Sequence, residues 1–113
     1  MIDQTDIEAY YDTGVTAAVK LDFPCRIKGI EMGCDPTTVL YGGIDLHDGT
    51  STSDPLLIRQ YVGNLQGTDF PVLSYKIPGN GVRFSTSVFV AFPNVSSAGT
   101  TDLPGYYRLF YQK

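Results

Sequence analysis

The chain offers few side chains that can do chemistry. Its 113 residues include a single histidine, His47, two cysteines, Cys25 and Cys34, and no tryptophan. The densest group of metal-capable side chains is Asp45-Leu46-His47-Asp48-Gly49 together with Asp54. Carboxylates around a turn-forming glycine suit calcium, which takes hard oxygen ligands. The stretch departs from an EF-hand loop in length and lacks the closing glutamate, so Asp45, Asp48 and Asp54 are only a candidate metal set. The competing reading is a solvated hairpin turn whose geometry comes from Asp48-Gly49. We adopt the turn reading and expect no resident metal or cofactor. Nothing in the chain resembles a G-x-S-x-G elbow, a phosphate-binding loop or a paired metal-ligand spacing. A glycosidase would need two carboxyls about 5–9 Å apart, which sequence separation cannot establish. The expectation is a protein that is not an enzyme. The eight tyrosines are the other resource, because phenol rings stack on sugars, pack in cores and anchor interfaces.

The elements that must position these residues are strands. Glycine and proline are frequent, β-branched and aromatic residues are common, and no window of ten or more residues repeats with a period of 3.6. At this length, with 42% hydrophobic and 18% charged residues, one domain spanning 1–113 is expected around one core. The net charge is −4, and the lysines and arginines are few and dispersed along the chain, so nucleic acid is not an expected partner. No run approaches the about 18 apolar residues of a membrane span, and the first residues, MIDQTDIEAYYD, are acidic, unlike a secretion leader. Asn94-Val95-Ser96 fits a glycosylation acceptor pattern, which carries little weight under the expectation of a protein that is not secreted.

Taken in order, Met1 to Asp12 suits a strand with Ile7, Ala9 and Tyr11 on one face and Glu8, Tyr10 and Asp12 on the other. Val15, Ala17, Val19, Leu21 and Phe23 alternate with Thr16, Ala18, Lys20 and Asp22, which predicts a strand ended by Pro24. From Cys25 to Cys34 the apolar parity switches at Gly29: Cys25 and Ile27 precede it, Ile30 and Met32 follow. A β-bulge at Gly29 would restore one buried face. Within one strand Cys25 and Cys34 would lie roughly 25–30 Å apart, beyond disulfide reach. Val39 to Leu46 is expected as a strand bent at Gly42-Gly43, with Leu40, Ile44 and Leu46 on one face. A polar loop runs from His47 to Pro55, a strand from Leu56 to Val62, a loop from Gly63 to Asp69, a longer connection from Pro93 to Gly105, and a closing aromatic strand from Tyr106 to Tyr111.

The most strongly patterned stretch is Leu73 to Phe92. Leu73, Tyr75 and Ile77 alternate with polar residues before Pro78-Gly79-Asn80-Gly81; Val82, Phe84, Val88, Val90 and Phe92 alternate after it. This predicts a β-hairpin in which Ile77 faces Val82 and Tyr75 faces Phe84. The expected whole is an all-β, antiparallel β-sandwich, jelly-roll-like, of eight or nine strands.

Lys76 to Phe84 with the strand Ser87 to Phe92, the early strand Arg26-Ile27-Lys28-Gly29-Ile30, the turn Leu46-His47-Asp48-Gly49-Thr50-Ser51 and the tyrosine-rich end Tyr106 to Tyr111 together resemble small virion structural proteins of tailed bacteriophages. The resemblance covers roughly positions 25 to 111 and is carried by turn and strand motifs. It implies a non-enzymatic capsid decoration or cement subunit that binds the major capsid protein or other virion proteins. It also implies many copies or a homo-oligomer, and a location on a virion assembled in the host cytoplasm. The expected interface is Ile7, Tyr10, Tyr11, Tyr106, Tyr107 and Phe110, because aromatic residues on both faces of a strand cannot all enter one small core. The alternative is a receptor- or glycan-binding module of a tail fibre or head spike, using tyrosines and loop carboxylates.

Overall fold

The computed structural model describes residues 7–13, 16–33, 39–40, 43–61, 65–66, 72–92 and 106–113. They form strands and turns, with no helix among them. In chain order the strands are β1 (Glu8–Asp12), β2 (Ala18–Leu21), β3 (Cys25–Gly33), β4 (Val39–Leu40), β5 (Gly43–Asp48), β6 (Leu56–Tyr61), β7 (Leu65–Gln66), β8 (Val72–Lys76), β9 (Val82–Phe84), β10 (Val88–Ala91) and β11 (Tyr106–Gln112). Two antiparallel sheets hold nine of them. A five-stranded sheet is ordered β1-β11-β3-β8, with β9 also paired to β3, and a four-stranded sheet is ordered β2-β10-β5-β6. β4 and β7 pair with each other.

The core is where the inner faces of the two sheets meet, giving a sandwich-like, all-β arrangement. Cys25, Ile27, Ile30, Met32, Phe84, Tyr107 and Leu109 come from the five-stranded sheet, and Leu21, Ile44, Leu46, Val88 and Val90 from the other. Each large apolar side chain buried there contributes about 1.5–3 kcal/mol, which is why period-2 alternation decides which face turns inward. The parity switch in β3 is resolved as expected: Phe110 pairs with Gly29 and Tyr111 with Ile27, leaving Lys28 as the extra residue of a bulge. Cys25 and Ile27 before the bulge, and Ile30 and Met32 after it, are then all buried.

The expected hairpin is not formed. β8 pairs antiparallel with Gly29–Gly33 and β9 antiparallel with Cys25–Ile27, so the two run in the same direction, end to end along one side of β3. Tyr75 lies opposite Ile30, and Phe84 opposite Cys25, instead of facing each other. Residues 78–81 bulge out between the two strands, and the Ile77 N–H donates to the Lys28 carbonyl at 3.0 Å. The alternation stays legible because Tyr75, Ile77, Val82 and Phe84 still pack on the core. β3, at nine residues, is long enough to satisfy both short strands, so the loop needs only to step the chain outward and back. Gly81 makes that step possible: its φ is 76°, and a Cβ there would lie 2.4 Å from the Ile27 carbonyl oxygen.

Other boundaries move as well. The run expected to continue from Val82 to Phe92 instead changes sheets across Ser85-Thr86-Ser87, between β9 and β10. The strand expected from Val15 to Phe23 is β2 alone, four residues long. Its ladder shifts between Val88 and Phe89, so that Leu21 and Val19 are the paired residues and Lys20 is skipped. Lys20 therefore leaves its expected solvent face, and its ammonium lies 2.9 Å from Asp12 of β1. Tyr10 and Tyr107 donate to the same carboxylate at 3.3 and 3.2 Å, and this polar junction ties the two sheets together. Val39 to Leu46 is divided into β4 and β5, and Leu65-Gln66, expected in a loop, pairs with β4. Ile44 and Leu46 are fully buried. The side chain of Leu40 lies outside the described residues, as do Met1 to Asp6, Val15, Cys34, Val62 and Pro93 to Gly105 with Asn94.

Candidate functional site

The three loop carboxylates are committed to three different structural tasks. Asp45, 4% exposed, receives two hydrogen bonds from Arg59 across the β5–β6 ladder, both at 2.8 Å. Asp48 reaches the crossover between the sheets and accepts from Ser85 N at 3.1 Å, Ser85 Oγ at 2.8 Å and Thr86 N at 2.9 Å. Burial alone would push the Asp48 carboxyl up, but these donors together with the Ser87 backbone outweigh it and hold it below the usual carboxylate range. Asp54 folds back to accept from Thr50 N at 2.7 Å and Ser51 N at 3.1 Å. Gly49 belongs to this turn, since a Cβ there would lie 2.2 Å from an Asp54 oxygen. Among the described residues no three His, Cys, Asp or Glu side chains converge as a metal site.

Among the described residues, the histidine and the cysteine are enclosed. His47 is 6% exposed, its Nδ1 lies 2.9 Å from the Asp54 carbonyl, and its ring is edge-on to Phe89. A carbonyl only accepts, so Nδ1 carries the proton. Cys25 is fully buried, and desolvation pushes its thiol up to about 11, which removes the thiolate needed for reactivity.

The six tyrosine, phenylalanine and isoleucine positions singled out from the sequence divide between the two faces of the five-stranded sheet. β11 alternates strictly, so Tyr107, Leu109 and Tyr111 point inward while Tyr106, Arg108 and Phe110 point outward. Tyr107 is fully buried, and its place in the expected interface is corrected: its ring packs against Phe92 and Tyr10, and its hydroxyl is bonded to Asp12. Burial, followed by the Asp12 charge, raises its phenol well above the usual value. Tyr10 is half-buried and packs on the same core.

Ile7, Tyr11, Tyr106 and Phe110 share the outer face. Tyr11 is 53% exposed and Ile7 39% exposed. The Tyr11 and Tyr106 ring centroids are 5.7 Å apart, tilted by 33°, and the Arg108 guanidinium lies over the Tyr11 ring at 5.3 Å. Glu31 of β3 anchors the group, accepting from Tyr106 Oη and Arg108 Nη1, each at 3.2 Å. Tyr106 can lie flat on the sheet because position 33 is glycine: a Cβ on Gly33 would be 2.2 Å from its ring. Beside this platform, Gly29 leaves a second depression, a groove of about 280 Å³ lined by Ile7, Phe110, Lys28, Lys76, Ser74 and Tyr75. The site is thus a shallow, apolar and aromatic surface edged by charge, suited to binding by area. Sequence reading misses Glu31, Arg108 and Gly33 and takes Gly29 only as the place of a bulge; all four become neighbours of the site only through the β1-β11-β3-β8 pairing. Compared with known proteins, the chain matches no family model, no curated protein and no solved structure.

Proposed function

We propose that the protein is a non-enzymatic structural subunit of a tailed-phage virion, a decoration or cement protein that binds the major capsid protein or other virion proteins through the outer face of its five-stranded sheet. The observation that carries this reading is the set of Ile7 and Tyr11, exposed, with Tyr106 and Phe110, half-buried, on one sheet face, aromatic anchors of the kind that dominate interface energetics. The buried His47 and Cys25 and the loop carboxylates already engaged by Arg59, Ser85, Thr86, Thr50 and Ser51 support a role without bond chemistry. A jelly-roll-like winding belongs to the same proposal. If β8 and β9 count as one interrupted strand and β4 and β7 are set aside, eight strands remain: the first, last, third and sixth form one sheet, and the second, seventh, fourth and fifth the other. That order supports a double Greek key, an architecture used by viral capsid and lectin domains.

The test uses particles lacking the protein. Tyr11→Glu and Tyr106→Glu variants, checked for folding by circular dichroism, are expected to stay soluble and folded but no longer add to those particles. Folded variants that still add normally would refute the assignment of this face. A second reading is favoured by one observation, the Tyr11–Tyr106 pair beside the Arg108–Glu31 ion pair, since neighbouring phenol rings with adjacent hydrogen-bonding groups suit a glycan. A receptor-facing module of a tail fibre or head spike predicts the opposite pattern, normal incorporation with lost adsorption to the host.

A further inference from the structure

Half of the eight lysines and arginines converge on one end of this same face. Lys20, Arg59 and Arg108 are ion-paired to Asp12, Asp45 and Glu31, and Lys113 lies over the Phe23 ring. The other four, Arg26, Lys28, Lys76 and Arg83, make no ion pair with any described carboxylate. β3 and its neighbours bring them together. Arg26 and Arg83 stand directly opposite each other in the β3–β9 ladder. Lys76 stands opposite Gly29, with Lys28 as the bulged residue beside it. All four occupy the outer face, because Cys25, Ile27, Phe84 and Tyr75 take the inner one. Like charges facing each other across a ladder destabilise it, and nothing described on this chain neutralises these.

We propose that the end of the face built from β3, β8 and β9 is a docking site for an acidic, extended segment of a partner protein. An apolar side chain of that segment seats over Gly29, between Phe110 and Ile7, and carboxylates on either side of it meet the Lys28/Lys76 and Arg26/Arg83 pairs. The inference rests on the reading of this sheet face as a protein-contact surface and adds the chemistry of the partner. Charge complementarity selects the occupant: in a chain of net charge −4, the four cations that pair with no carboxylate among the described residues stand on one short patch around an apolar groove. A nucleic-acid backbone calls for a longer positive track to hold successive phosphates, and Glu31 interrupts this one.

The test is an NMR titration of the ¹⁵N-labelled full chain with the capped peptide Glu-Asp-Phe-Asp-Glu. The expected result is movement of the Lys28, Gly29, Lys76, Arg83 and Phe110 amide signals. Affinity should fall about tenfold or more in Arg26→Glu/Arg83→Glu, and by a similar factor between about 50 and 500 mM salt. The capped peptide Lys-Lys-Phe-Lys-Lys should leave these signals in place. The variant's spectrum must keep native dispersion; if it does not, Lys76→Glu, on an exposed position, takes its place. Absence of shifts, shifts elsewhere, affinity indifferent to the charge reversal, or tighter binding of oligothymidylate would each overturn the proposal, the last in favour of nucleic acid. Failure here is separable from failure of the virion reading. If Arg26→Glu/Arg83→Glu adds normally to deficient particles while Tyr106→Glu does not, the face remains the interface and only the acidic partner is lost.

Discussion

Replacing Gly79 and Gly81 separately by alanine distinguishes end-to-end β8 and β9 from a hairpin. Both glycines have positive φ, 68° and 76°, so each alanine incurs the left-handed penalty of about 1–2 kcal/mol, partly offset by about 0.4–1 kcal/mol from a less flexible unfolded chain. For Gly79 nothing lies within 4 Å of an added Cβ, and the net cost should be about 0.5–1 kcal/mol. At Gly81 the Cβ would lie 2.4 Å from the Ile27 carbonyl oxygen and 3.1 Å from its carbon, backbone atoms that cannot rotate aside. Reaching even a tight contact of about 3.0 Å requires β9 to move away from β3 by roughly 0.6 Å. Because β9 has only three residues in its ladder, that movement weakens most of its hydrogen bonds, each worth about 0.5–1.5 kcal/mol. A total of about 2–4 kcal/mol is expected, a large part of the stability of a domain this size. Urea unfolding followed by circular dichroism measures both. Equal costs for the two alanines would refute the packing of Gly81 against β3 and restore a hairpin, in which both glycines are simply turn residues.

Phe84→Ala should cost about 3–5 kcal/mol, since the ring is fully buried, whereas Arg83→Ala, on the exposed face, should cost less than about 1 kcal/mol; chemical denaturation of both variants checks the inward parity of β9. The Asp48 clasp predicts an acid-side dependence. Its folded-state pKa is lowered, so its contribution is fully present above the unfolded value of about 3.9 and is lost as pH falls through the folded one. Wild-type stability should therefore fall more steeply below about pH 4 than that of Asp48→Asn, and parallel pH profiles of the melting temperature would show that the clasp contributes nothing.

Alternation with period two records which side of a strand is buried, and that information is local. It places Ile44, Leu46, Val88 and Val90 each on the inward face of its strand, and the broken parity around Gly29 is enough to locate the β3 bulge, whereas the closing strand, aromatic on both parities, leaves Tyr107 on the wrong side. All-β architecture follows from the same pattern. Alternation carries no record of which strand lies alongside, because backbone N–H and C=O groups are identical in every ladder. The choice between Tyr75 facing Phe84 and both strands lining β3 is settled by the length of β3 and by closure of the core over it. The same holds for the site. Asp48 and its crossover donors are 37 and 38 residues apart, Tyr106 and Glu31 are 75 apart, and Arg26 meets Arg83 only across the β3–β9 ladder. Cations that look dispersed along the chain become one patch because strand pairing, unlike strand formation, is decided by the whole domain at once.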